Sequence, residues 1–258
     1  MTTDHCTAGL EEFIEEQRHV TLEDKKPEFE AILRLIKQVK SLQCKTEILE
    51  IGTGIGWLLI LCEQLGMKCK GVEVSPELVR FAQELGRKYG VTPNIQTGQI
   101  EDIEIGTTQY DVVIATSTFE HVKNWETGLK KIFNALKPGG VLYFYSTNKF
   151  SFKQGEYDFP FYGWFPDAWR YRFRIARQGE NIMKWGIDFN QFTHFQLRRF
   201  FRDLGFSKVL DRVDVLDPDN LNHPTLMKKL ILKMLKRVKP LKHLVLLFSE
   251  GTLFLCVK

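Results

Sequence analysis

A chain of 258 residues, 43% hydrophobic and 26% charged with a formal charge of +4, is long enough to bury one sizeable core, and one domain with insertions is the expectation. Asp4, Glu11 and Glu12 stand where a secretory signal would carry basic and then apolar residues, and the longest apolar runs, 57–62 and 244–248, are far shorter than the roughly 20 residues that span a bilayer. Five cysteines without a CxxC pair and six histidines without HxxxH or HExxH spacing argue against a disulfide framework and a preorganised zinc site, and for a reducing, cytoplasmic setting.

Residues 1–45 read as an N-terminal helical segment, with Phe29, Ile32, Leu33, Ile36 and Val39 at helical spacing, expected to pack on a domain covering 46–258. From Glu47 onward short β-rich runs alternate with amphipathic helices: ILEIG, KGVEV, the weaker NIQT, YDVVIAT and GVLYFYST. That alternation predicts an α/β fold, Rossmann-like and doubly wound, with a mostly parallel seven-stranded sheet and helices on both faces. Ser75 before Pro76 predicts an N-cap with a preset first turn, and Gly90 predicts the stop of the same helix. Asn124 is the expected cap of the next helix, whose Leu129, Ile132, Phe133 and Leu136 share a face and which Lys137, Pro138, Gly139 and Gly140 should end.

An aromatic-rich insertion follows over about 148–192, carrying Tyr157, Phe159, Phe161, Tyr162, Trp164, Phe165, Trp169 and Tyr171. Thr193 with Gln196 predicts a capping box for a helix bearing Leu197, Phe200, Phe201 and Leu204, stopped by Gly205. A strand is expected over 206–215, and the closing TLFLCV should pair antiparallel beside it. Between them, over about 222–243, lies a basic amphipathic helix insertion. Residues 226–243 hold seven Lys or Arg and no acid, which leaves −3 for the rest of a +4 chain. Leu226, Leu230, Ile231, Met234 and Val238 fall on one helical face, a pattern that suits an anionic membrane surface or packing on the chain's own domain.

The segment Glu50, Ile51, Gly52, Thr53, Gly54, Ile55, Gly56 leaves an apolar strand and enters a helix near Trp57. Glycines there permit a tight turn and a close approach to a ligand, and the helix start presents N–H groups. Glu73, at the end of the next strand, has the spacing of an acid that accepts from both hydroxyls of a ribose, which suggests an adenosine ligand. The GxGxxG dinucleotide fingerprint is not met, because the third glycine arrives one position early and Trp57 stands where it belongs.

LEIGTGIG, Glu73 within GVEVS, YDVVIATSTFEHV and LKPGG together resemble the ordered motifs of class I S-adenosylmethionine-dependent methyltransferases, above all the type 11 and ubiquinone-biosynthesis O-methyltransferase group. The resemblance covers roughly residues 46–147 and, loosely, the last two strands. It implies S-adenosylmethionine as cofactor and S-adenosylhomocysteine as product. It further implies that Gly52, Gly54 and the neighbourhood of Gly56, with Thr53 among them, face the methionine part. Glu73 would face the ribose, Val74 the adenine, and Glu50 with the backbone near Ala115 the amino group. Relatives carry Gly-Asp-Ala where this chain has Gly98, Gln99 and Ile100, so the Gln99 amide oxygen takes over the acceptor role. Some relatives bind a metal through Glu-x-x-Glu-His; here Ser117, Thr118, Phe119, Glu120 and His121 lack the first carboxylate, and no metal is carried over.

Such a reaction asks the protein for in-line positioning and, with an oxygen acceptor, for proton removal. His121, just after the fourth strand, is the candidate general base; Tyr162 and His194 are weaker ones. The aromatic insertion is expected to shape an apolar acceptor pocket, with Arg170, Arg172, Arg174 and Arg177 as contacts for anionic groups or as a solvated face. The expected function is methyl transfer to a small lipophilic or lipid-linked acceptor, such as a quinone, polyketide or glycolipid, at oxygen. RNA methylation and a non-catalytic S-adenosylmethionine-binding scaffold are the alternatives. Nucleic acid is disfavoured because the chain outside 226–243 is net acidic and no RNA-binding module accompanies it. The expected location is cytoplasmic, with peripheral membrane association through residues 226–243.

Overall fold

The computed structural model describes residues 9–154, 159–178, 188–218 and 225–258. Tyr157 and the start of the basic insertion lie outside them, as do the side chains of Phe159, Arg174 and Arg177. Five strands run parallel, β1 (Glu47–Ile51), β2 (Lys68–Glu73), β3 (Asn94–Thr97), β4 (Tyr110–Thr116) and β5 (Leu136–Thr147). β6 (Lys153–Gln154) and β7 (Phe159–Pro160) form a separate short hairpin, and β8 (Lys208–Asp211) and β9 (Gly251–Val257) complete the main sheet. Its order is β3-β2-β1-β4-β5-β9-β8, with β9 antiparallel to both neighbours. The helices are α1 (Gly9–Gln17), α2 (Leu22–Lys37), α3 (Trp57–Gln64), α4 (Pro76–Lys88), α5 (Trp125–Ala135), α6 (Asp167–Gln178), α7 (His194–Leu204), the single turn α8 (Arg212–Val215), α9 (Leu226–Arg237) and α10 (Lys239–Leu247).

Successive residues of a strand face opposite sides of a sheet, and here both sides are apolar. Leu49, Val113, Leu142 and Phe144 face α5 and α7 through Leu129, Ile132, Leu197 and Phe201. Ile48, Val112, Ile114 and Val141 face α2 and α3 through Phe29, Ile32, Leu58 and Leu61. The expected doubly wound sheet is therefore observed, with α2 contributing to one of its two cores. Strand order reverses between β1 and β4, and a sheet of this kind binds its ligands in the crevice at the carboxyl ends beside such a switch point.

Local chemistry sets most of the boundaries. Ser75 Oγ accepts the Leu78 N–H at 3.2 Å with Pro76 at the first helical position, as expected. Thr21 and Asp24 form a reciprocal capping box on α2. Thr193 Oγ accepts the Gln196 N–H at 3.2 Å, one half of the expected capping box and without the return bond from the Gln196 side chain, and Gly205 ends α7 with φ +106°.

Three boundaries differ from expectation. The Asn124 side chain makes no capping bond on α5. Leu136 has already left α5 and pairs with Tyr110, so the Lys-Pro-Gly-Gly stretch is an irregularity inside β5 rather than a stop ahead of it. Lys258 compensates at that helix end, its Nζ donating to the carbonyls of Phe133 at 2.7 Å and Leu136 at 2.8 Å. The strand expected over 206–215 stops at Asp211, because that carboxylate accepts the N–H groups of Val213 and Asp214 at 3.0 and 3.1 Å and turns the chain into α8.

Within the insertion, Arg170 and Asp188 form a fully buried ion pair that Asp167, Gln191 and the Tyr162 hydroxyl complete. No helix among the described residues is long and apolar enough to cross a membrane.

Candidate active site

The turn after β1 is held down by Gly52 and Thr53, whose N–H groups donate to the Val72 carbonyl at 2.9 and 3.1 Å. Gly52 has φ +75°, and a Cβ on it would lie 2.1 Å from Thr118 Oγ1. That hydroxyl is fixed by donation to the Ile51 and Thr116 carbonyls, each at 3.0 Å. Gly54, with φ +56°, would meet nothing within 4 Å, so the turn is open on that side. Gly56 is turned the other way, with its missing Cβ 2.8 Å from Ala82 Cβ on α4. Gly52→Ala is accordingly expected to cost about 2 kcal/mol or more through strain and overlap. Adding Thr118→Gly should recover part of that loss, which paired chemical denaturation curves would measure.

Two buried carboxylates flank this opening. Glu73, 5% exposed, accepts the Gly54 N–H at 2.7 Å on one oxygen and the Ser75 N–H at 3.0 Å on the other. Burial pushes its pKa up, and the backbone donors pull against that shift. Glu50, at the end of β1, is 6% exposed and its Oε2 has no hydrogen-bond partner. Burial first, then Cys62 and Glu73, holds its pKa well above the carboxylate range.

The other expected residues separate into two groups. Val74 is 38% exposed beside Glu73, Gln99 follows β3 half-buried, and Ala115 sits at the end of β4 in register with Ile51. With Glu50, Gly52, Gly54 and Glu73 they share the carboxyl ends of β1 to β4. The Thr53 side chain lies over Gly71, whose missing Cβ would be 2.3 Å from Thr53 Oγ1, and beside Glu50, whose pKa it lowers against the effect of burial. The Ile100 side chain is buried in the core against Gly128 of α5.

His121 ends the short 3-10 turn Phe119–His121 directly after β4, half-buried, its N–H donating to the Thr118 carbonyl at 3.0 Å. His194 lies in the core, its ring 5.0 Å from that of Phe254 and nearly parallel to it. Burial, reinforced by Arg198, pushes its pKa down to about 3, so it stays neutral. Tyr162 is buried and donates to Asp188 at 3.2 Å. Sequence reading missed Thr118, whose contact with Gly52 joins residues 66 positions apart in the chain. It also missed Glu120, fully buried, which accepts from Ser146 Oγ at 2.8 Å.

A family profile described as a methyltransferase domain matches residues 14–211, well over half of the chain. The chain belongs to that methyltransferase family. Its fold and motif order are those of the class I, S-adenosylmethionine-dependent type. Among curated proteins, it is 31% identical over 109 residues to a malonyl-[acyl-carrier protein] O-methyltransferase of Priestia megaterium, covering 42% of this chain and 39% of that one. A ubiquinone biosynthesis O-methyltransferase of Coxiella burnetii is 27% identical over 117 residues, covering 45% of this chain and 50% of the other. The chain thus spans half or less of the length of these relatives. Among solved structures, a putative sarcosine dimethylglycine methyltransferase from Galdieria sulphuraria superposes with a TM-score of 0.58 at 14% identity, covering 92% of this chain and 87% of that one. An S-adenosylmethionine-dependent methyltransferase from Archaeoglobus fulgidus does so with 0.55 at 16%, covering 96% and 99%.

S-adenosylmethionine is the family's methyl donor, and the residues at this sheet edge fit it. The unpartnered buried Glu50 oxygen suits an ammonium group, and the open side of Gly54 leaves room for a ligand against backbone. Each Glu73 oxygen has a lone pair left after its backbone bond.

The Glu50 environment carries a pH dependence. A folded-state pKa above the unfolded value means that the folded chain retains a proton the unfolded chain releases. Stability from that site is therefore full below the ordinary carboxylate value, and is lost as pH rises from there through the raised one. Glu50→Gln keeps the shape and removes the titration. The ligand-free variant should melt higher at neutral pH, by about 2–4 °C for each kcal/mol recovered, and bind S-adenosylmethionine more weakly. Melting curves across pH test this; an unchanged slope between acid and neutral pH would refute the assignment.

Proposed function

We propose that this protein transfers the methyl group of S-adenosylmethionine to an oxygen of a small, lipophilic or lipid-linked acceptor. The observation that carries the reading is that the carboxylate-flanked glycine turn and an aromatic cluster follow the carboxyl ends of two parallel strands, β1 and β5, and so lie at one edge of the sheet. Phe150 packs edge-on against Trp164 at 5.7 Å, and Trp164 stacks on Phe248 at 6.0 Å. Aromatic surfaces of this kind suit apolar ligands. Curated relatives named as O-methyltransferases support oxygen as the acceptor atom, beside one named as an N-methyltransferase.

The bound donor supplies an electrophilic methyl on a sulfonium, which leaves as a neutral thioether. Glu50 Oε2 would accept from the amino group of the methionine part, and Glu73 from the ribose hydroxyls. Val74 would cover one face of the adenine, and the Gln99 amide oxygen would accept from its exocyclic amino group. His121, just past the end of β4, would act as the general base that holds the proton of the acceptor hydroxyl.

Two measurements test this. Calorimetric titration with S-adenosylmethionine, S-adenosylhomocysteine and NAD is expected to give binding of the first two only. Release of S-adenosylhomocysteine is then followed with lipophilic phenols, polar phenols and primary amines, and turnover confined to the amines would overturn the oxygen assignment.

A further inference from the structure

We infer that the outward face of α9, continued by the end of α10 and the aromatic side chains beside it, docks this protein on an anionic membrane surface. The inference goes beyond the proposed reaction and does not rest on it, because docking is read without turnover.

α9 has two apolar faces, and the fold uses one. Leu232 and Leu235 turn inward and pack with Val213 and Leu246. The face that periodicity singles out is on the other side. Leu226, Leu230 and Met234, four residues apart and so in one line along the helix, are 75%, 58% and 45% exposed, and Met227, Ile231 and Val238 beside them are exposed as well. Isolated exposed apolar side chains need no explanation, but a continuous row on one helix marks an interaction surface.

The charges around this row identify the partner. Lys228, Lys233, Lys236, Arg237 and Lys239 are exposed, and no acid occurs in 226–243. Lys242, the one buried cation of the segment, is turned inward to Asp211 at 2.7 Å and to Asp214, which fastens α10 to the sheet. The Asn148 side chain, just past β5, donates to the carbonyls of Leu246, Leu247 and Ser249 at 3.1, 3.0 and 2.8 Å and fastens the end of α10. The helix pair is thus held to the same sheet edge that carries the glycine turn.

Directly after α10, Phe248 stacks on Phe152 with ring centres 5.1 Å apart. Phe152, Phe161 and Trp164 are all exposed. Aromatic rings favour the boundary between headgroups and acyl chains. Exposed aliphatic side chains flanked by cations, on a helix lying along the surface, match an anionic bilayer. A nucleic acid would reward the cations and leave the aliphatic row unexplained. A second copy of the chain would bring two like-charged faces together.

The test is vesicle flotation of the full chain with phosphatidylcholine alone and with phosphatidylcholine and phosphatidylglycerol in equal parts. The protein is expected to float with the mixed vesicles and not with phosphatidylcholine alone. The pair Leu230→Ser with Met234→Ser and the pair Lys233→Glu with Arg237→Glu should each lower vesicle affinity about tenfold or more. All four positions are exposed, and circular dichroism checks that both variants fold. Absence of the wild-type chain from mixed vesicles overturns the inference. So does binding that the charge variant loses and the apolar variant keeps, which would identify a polyanion site. A dimer in sedimentation velocity that the apolar variant abolishes overturns it too, since the face would then be covered by a second copy.

Discussion

Glu73→Ala should weaken binding of S-adenosylmethionine and S-adenosylhomocysteine about 30- to 150-fold, or ~2–3 kcal/mol. The substitution removes the acceptor proposed for the ribose and also leaves the Gly54 and Ser75 N–H groups, now held at 2.7 and 3.0 Å, without their partner. The glycine turn then loses its tie to β2 at the residue that is open to the ligand. Glu73→Gln is expected to fall between wild type and alanine. Its amide oxygen can keep one of the two backbone donors, while its NH2 group faces the other, donor against donor. The ligand-free alanine variant should remain folded, because the lost hydrogen bonds are offset by removal of a carboxylate that burial disfavours. Calorimetry gives the affinity and a thermal melt gives the fold. A folded variant with less than a threefold change in affinity would remove Glu73 from the cofactor site.

What the sequence disclosed was mostly local. Ser75 before Pro76 signals a helix start within four residues, and the glycine turn is written in seven consecutive positions, so both are found where expected. The failures come from contacts that sequence distance hides. Gly52 looks like an opening for a ligand, yet a Cβ there would collide with Thr118, brought across from the end of β4. Asp211 reads as one more residue of a strand until its carboxylate is seen capping the turn that ends it. Periodicity identifies the aliphatic row of α9 but not which way it faces, because Leu232 and Leu235 on the other side are equally apolar and are the ones the core takes. Glu120 reads as the second acid of a metal motif whose first position is Ser117, whereas its burial against Ser146 makes it a support beneath the turn that carries His121.

The largest expected effect belongs to His121→Ala, which should lower kcat by about 10²–10⁴ for an unactivated hydroxyl acceptor, the range for losing a positioned general base. Affinity for S-adenosylmethionine should stay unchanged, since His121 lies beyond β4 while the cofactor acids end β1 and β2. The neighbouring turn gives a structural role its own chance, because the His121 backbone is part of the Phe119–His121 turn. Two readouts separate a base from a spacer. His121→Gln restores volume and a hydrogen-bonding side chain without a basic site, so it should be as slow as alanine if proton transfer matters and near wild type if packing does. Across phenols of rising acidity, the acceptor needs less help to lose its proton, and the penalty of either substitution should shrink toward none for phenols that ionise in solution. A penalty that stays constant along that series would mean that His121 positions the acceptor and that the proton leaves by another route.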